Sequence, residues 1–235
     1  MDNLRAVAEE RGDRKDRLSD LGPLPGGHHG LSRQQILDSQ RERLLAAIAH
    51  EVAARGYRGT TITEVVKVAS VSTRDFYEHF EGKEECFLAA FDAVRDHLEE
   101  LVVETVAEQP DWPRQVIAAL RALLEFFATE PELARLCLVE PVSATPTIAI
   151  RFREAVLACV PALARGRTQT ADGASLPPST EDSLLGGMLS LATRAILAGE
   201  TEMLPTLLPD LVEFTLSPYL GAEGASELVA ETKAT

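Results

Sequence analysis

Residues 61–83 read TITEVVKVASVSTRDFYEHFEGK, and the placing of polar caps in this run decides how the chain is built. Thr61 and Glu64 have the spacing of a capping box, in which a hydroxyl and a carboxylate each satisfy a free amide at a helix start. A short helix to about Ala69 follows. Val65, Val66 and Val68 favour a strand by β propensity, which is the rival reading. A second cap pattern, Ser72-Thr73-Arg74-Asp75, weighs against it by opening another helix with Phe76, Tyr77 and Phe80 on its apolar side. Two short helices around a tight turn have helix-turn-helix geometry, which places the second helix in the major groove of DNA.

On that reading Arg74 is the first candidate for a base contact, because its fork can pair with guanine O6 and N7, and Thr73 and His79 are further candidates. Thr61, Thr63, Tyr77 and Lys83 offer hydroxyls and an ammonium suited to phosphates near helix N-termini. An ordinary helical corner with a solvated arginine has the same spacing. Asp75 leans that way, since a carboxylate facing DNA must cap a helix, pair, or accept from cytosine N4.

Working outward, Ile36 to Arg55 carries Leu37, Leu44, Leu45, Ile48, Ala49, Val52 and Ala53 on one helical stripe, and Gly56 ends it. Downstream, the spacing predicts helices from near Gly82 past Leu101, over Val116 to Ala128, Glu132 to Glu140, Ile148 to Leu163 and Glu181 to Ala198, and a last one from Pro205 to Tyr219. Residues 166–180 read as the longest internal loop. The fold class is all-α. An N-terminal three-helix helix-turn-helix domain is expected over 34–82, and a larger helical ligand-binding and dimerisation domain over 83–221. Residues 1–33, with LGPLPGG at 21–27, are expected to be a flexible arm, and 222–235 a flexible tail.

The formal net charge of −14 looks unsuited to a nucleic-acid binder. Its distribution removes the objection: eight Lys and Arg against seven Asp and Glu leave residues 31–83 at +1, while 84–235 carry −14 and 1–30 carry −1. One part tolerates a polyanion, and the other is kept soluble by its own charge. The first twenty residues lack the apolar region of a secretory signal, which points to the cytoplasm, and no stretch is apolar enough for a membrane span. Cys86, Cys137 and Cys159 form no CxxC pair, so neither a disulfide framework nor a zinc site is expected. Cys137 and Cys159 read as small core residues.

The run from Gly56 through Thr61-Ile62-Thr63, Ala69-Ser70-Val71-Ser72, Phe76-Tyr77-Glu78-His79-Phe80 and Lys83-Glu84 resembles the DNA-binding domain of the tetracycline-repressor (TetR) family. The resemblance covers about residues 38–90, and Phe87-Leu88-Ala89-Ala90 fits the family's connecting helix. It implies a homodimeric one-component transcriptional regulator, a repressor by first expectation, which binds a palindromic double-stranded DNA operator and is released by a small-molecule effector sensed by the C-terminal helices. Ser70 departs from the family, which usually has Gly in the turn. A left-handed serine there costs about 1 kcal/mol. Ser70 and Asp75 are also the features that a member without DNA binding would show.

No Gly-rich phosphate loop, HExxH or GxSxG is present, so no enzyme, cofactor or metal site is expected; an all-α ligand carrier or enzyme without DNA binding is the alternative. His28 and His29 fall in the arm, His50 and His97 on helix faces. The effector, apolar or amphipathic, is expected among Leu123, Phe126, Phe127, Phe152 and Met188. A dimer contact is expected at Leu184, Gly186, Gly187, Leu191, Leu207, Leu211 and Phe214. The last two helices carry more apolar surface than one core needs, and two mid-helix glycines suggest close approach of another backbone. The plainer alternative is that both helices only cap the chain's own core.

Overall fold

A computed structural model describes residues 32–171 and 173–234. The expected arm therefore lies outside the described residues apart from Ser32 and Arg33. Helix α1 (Arg33–Gly59) opens on a capping box: Ser32 Oγ accepts from the Gln35 amide, and the Gln35 side chain accepts from the Ser32 amide. Its stripe of Leu44, Leu45, Ile48 and Val52 is buried. Gly56 interrupts α1 with φ +73° and ψ 161°, a conformation that favours glycine, and Thr60 caps the turn that follows. Helices α2 (Ile62–Ala69) and α3 (Thr73–His79) complete the helix-turn-helix. The valines of α2 are helical because the capping box at Thr61 and Glu64 forms and Val65 and Val66 bury against the core.

Helix α4 (Lys83–Ala107) leads into a layer of α5 (Trp112–Thr129), α6 (Pro131–Leu138) and a 3-10 turn at Glu140–Val142. Then come α7 (Pro146–Leu157), α8 (Val160–Ala164), α9 (Gly166–Gln169) and a 3-10 turn at Gly173–Ser175. Helix α10 (Thr180–Leu197), a 3-10 stretch at Thr201–Leu207 and α11 (Leu208–Ala234) close the chain. No strand occurs among the described residues, so the architecture is all-α with an N-terminal helix-turn-helix. None of the helices is long and apolar enough to cross a membrane.

Three expectations change. The single helix over Ile148 to Leu163 is split into α7 and α8, because Pro161 has no amide to continue the ladder. The internal loop is pinned: Arg167 donates from Nε and Nη2 to both oxygens of Glu181 at 2.8 and 2.7 Å, and from Nη1 and Nη2 to the Leu176 and Pro177 carbonyls. Beneath it Gly166 packs against the Trp112 and Tyr219 rings, with no room for a side chain. Instead of a flexible tail, residues 222–234 are helical; Gly221 (φ +74°) redirects α11, and Ala225, Leu228 and Val229 are buried.

Candidate functional site: a nucleic-acid interface and a groove

The recognition candidate is built on local capping. Ser72 Oγ accepts from the Asp75 amide at 3.1 Å, and buried Phe76 and Phe80 anchor α3 from below. This leaves Thr73, Arg74 and Tyr77 exposed, with the Arg74 side chain 88% accessible and its Nε a loose 3.6 Å from Glu78. Asp75 lies in the first turn, where a carboxylate favours the helix dipole. Thr61 and Thr63 are exposed at the start of α2, and Thr61 Oγ1 already accepts from the Glu64 amide while donating to the Glu64 carboxylate. The hydroxyl's bond to the carboxylate and a second from the Thr61 amide at 3.1 Å hold the Glu64 carboxyl below its ordinary range.

Two expected DNA contacts are placed otherwise. Lys83 Nζ donates to the carbonyls of Tyr57 and Thr60 at 2.7 and 2.8 Å and lies 4.3 Å from the Tyr57 ring centroid, so its ammonium closes the end of α1 and is not free for a phosphate. Desolvation there lowers its pKa. His79, last in α3, is half-buried with Nε2 3.3 Å from Gln40 Oε1, held against α1 and away from the helix N-terminus where base contacts are made. Sequence reasoning missed exposed Arg58 and Lys67. Lys67 was legible, being four residues after Thr63 and so on the same face of α2.

The C-terminal helices enclose a groove of about 710 Å³ between α4, α5 and the end of α11. Leu101, Ile117, Ala118, Ala122 and Phe126 are its apolar lining, and His97, Gln109, Arg114, Arg121, Glu125 and Glu231 a polar lining of mixed charge. Arg114 is engaged by Asp111 and Glu231 at 2.7 Å each. Arg121 is half-buried and makes no hydrogen bond or ion pair among the described residues. Of the five residues expected to line the pocket, Phe126 alone does so. Phe127 and Phe152 are core, the latter edge-on to Phe91, and Met188 is held by the Thr215 hydroxyl at 3.4 Å; Leu123 is half-buried outside the lining. Sequence periodicity marks which residues face inward but not where the packing leaves a gap.

At the expected dimer face, Leu184 and Leu211 are 4% and 2% exposed within one chain, and Gly187 accommodates Phe214 of its own chain: a Cβ there would lie 2.7 Å from that ring. Close approach does explain Gly187, but the approaching group comes from α11 of the same chain. Gly186 has open space above it, Phe214 is 44% exposed, and Leu191 and Leu207 are half-buried. Of the cysteines, Cys86 and Cys137 are buried, and burial pushes the Cys86 thiol up to about 12; Cys159 is exposed, contrary to its reading as a core residue. No cluster of His, Cys, Asp and Glu suited to a metal occurs among the described residues.

Residues 44–90 match the family described as bacterial regulatory proteins, tetR family. Over 163 residues, 69% of this chain and 70% of the relative, the chain is 26% identical to the HTH-type transcriptional activator FasR of Mycolicibacterium smegmatis. Among solved structures, the fold is similar to the fatty acid degradation regulator FadR from Bacillus halodurans, with TM-score 0.67, 14% identity and coverage of 77% of this chain and 94% of that one. It is also similar to FadR from Bacillus subtilis in complex with stearoyl-CoA, with TM-score 0.64, 14% identity and coverage of 76% and 97%. The match over residues 44–90 and the capped helix-turn-helix there identify a tetR-family DNA-binding domain, and the chain as a whole is similar to TetR-family transcriptional regulators.

Proposed function

We propose that the protein is a homodimeric regulator that binds a palindromic operator through residues 34–82 and loses operator affinity when a long-chain acyl thioester of the acyl-CoA type occupies residues 83–221. The observation that carries the DNA reading is the exposed first turn of α3, where the Ser72 cap presents Thr73 and Arg74 to solvent. Arg74 and Thr73 read bases, while Thr61, Thr63 and Tyr77 contact phosphates. The groove supports the effector class: its apolar lining suits an acyl chain, and the unpaired Arg121 in its polar lining suits an anionic head group. The likeness to a FadR in complex with stearoyl-CoA agrees with this class. Gly186, Leu191, Leu207 and Phe214 form the contact between subunits.

Repression is the expected outcome when the operator overlaps a promoter. The likeness to the activator FasR supports a second reading, in which an operator upstream of a promoter recruits transcription. Selection of bound duplexes from a random pool, then titration of the winning duplex complex with stearoyl-CoA, tests the proposal. An enriched palindrome released by stearoyl-CoA supports it, and absence of any enriched sequence refutes it.

A further inference from the structure

Tyr57 is held at its amide by the C-terminal domain and at its carbonyl by the connecting helix. Because Gly56 breaks α1, the Tyr57 amide leaves the helical ladder and donates to Glu140 Oε2 at 2.8 Å, across 83 residues of sequence. The other oxygen of that carboxylate accepts from Arg135 Nε at 3.2 Å, and Glu140 is only 6% exposed. Gly56 is favoured by its positive φ, and a Cβ there would make a tight 3.3 Å contact with Glu140 Oε2. On the opposite side Lys83 takes the Tyr57 carbonyl, and the Tyr57 ring meets Phe87 edge-on at 5.3 Å. Only the short turn through Thr60 separates this clamp from Thr61, the cap of α2.

The groove connects to the clamp through one short helix. Thr129, at the end of α5, lines the groove. Glu130 is at once the C-cap of α5 and the N-cap of α6, and α6 runs directly to the turn that carries Glu140. A hydrophobic side chain would be cheaper to bury at this position than a carboxylate, whose retention is reasonable where a directional hydrogen bond must be made or broken. A movement of α5 reaches the Tyr57 amide through a single non-helical residue, Glu130 (φ −123°, ψ 68°), and the short helix α6.

We propose that Glu140 is the positioning residue through which the C-terminal domain sets the orientation of the helix-turn-helix, and that occupancy of the groove lowers DNA affinity by opening the Glu140–Tyr57 hydrogen bond. The second clause rests on the effector reading above; the first does not. In the full-length protein, Glu140→Ala should weaken operator binding about tenfold, within the usual range of coupling between sites, while affinity for random duplex stays unchanged. Glu140→Gln, which keeps a carbonyl to accept from Tyr57, should restore most of the loss. Hydrogen exchange of the 57–61 backbone should quicken in Glu140→Ala and, on addition of stearoyl-CoA, in the wild type.

Wild-type operator affinity in Glu140→Ala, or an equal loss on operator and random duplex, would overturn the positioning role. Should Glu140→Ala fail to fold, Glu140→Gln decides: near-wild-type affinity with slow exchange at Tyr57 supports the role, and fast exchange without loss of affinity overturns it. If stearoyl-CoA releases wild-type protein from DNA without quickening exchange at 57–61, the route through Glu140 is wrong and the effector reading stands. If stearoyl-CoA has no effect on wild-type operator affinity, that effector is wrong, and the affinities of the two variants still judge the positioning role.

Discussion

Arg43 reaches from α1 to the turn between α2 and α3, where Nη1 donates to the Ser70 carbonyl at 3.2 Å and to the Ala69 carbonyl at 2.9 Å. Ser70 has φ +53°, the one positive φ of a non-glycine residue among the described residues. The arginine thus fixes the carbonyls of a turn whose backbone is unfavourable for serine. Ser70→Gly should stabilise the fold by about 0.5–1 kcal/mol by relieving the left-handed strain, and Arg43→Ala should cost about 1.5–3 kcal/mol. Urea denaturation measures both; a destabilised Ser70→Gly would show that strain is not the controlling effect.

Arg74 and Lys83 should separate cleanly. Arg74→Ala is expected to lose about 1–3 kcal/mol on the specific site and to relax preference at one position of each half-site. Lys83→Ala removes two charge-assisted bonds to carbonyls, so it should lower stability by about 2 kcal/mol and leave the salt dependence of DNA binding unchanged. A salt slope reduced by about one would return Lys83 to the phosphate contacts.

The Glu181 carboxyl is held below its ordinary range, first by the Arg167 hydrogen bonds and also by the hydroxyl of Tyr219, which donates at 2.7 Å. A depressed folded-state value means that Glu181 contributes its full stability above the unfolded value near 4.5, and that this is lost as pH falls through the lower folded value. Glu181→Gln should therefore melt below the wild type at neutral pH, with the gap narrowing under acid. A gap independent of pH would mean that packing, not charge, is what the substitution removes.

Gly186→Glu should give monomers in sedimentation, because it places a charge in open space on the proposed contact without touching the chain's own core. Gly187→Leu should destabilise the monomer itself by collision with Phe214. Dimers persisting in Gly186→Glu would move the contact elsewhere.

Arg121→Ala should weaken stearoyl-CoA binding about tenfold by calorimetry, the value of roughly one lost charge-assisted hydrogen bond. Phe152→Ala should act on stability instead, since that ring is core.

What could be read beforehand was local. The caps at Thr61, Glu64 and Ser72 act over three residues, so their spacing carries their structure, whereas the left-handed Ser70 was approached only through the resemblance to a family that has Gly there. The Tyr57–Glu140 bond was invisible because its partners are 83 residues apart. Lys83 was assigned to phosphate because an ammonium serves carbonyls and phosphates equally well. The expected tail at 222–235 fails because the helix expected to end at Tyr219 is only redirected at Gly221, and Leu228 and Val229 beyond it find cover.

Helix α3 has seven residues, well below the roughly 12–15 at which an isolated helix becomes even marginal in water. Its shape comes from Phe76 and Phe80 seated in the core and from the turn that Arg43 holds. The segment that meets DNA is therefore not a portable module. A synthetic peptide of residues 61–83 should show a coil spectrum by circular dichroism, and grafting these residues onto another protein should transfer DNA recognition only if the supporting faces of α1 and α4 travel with them.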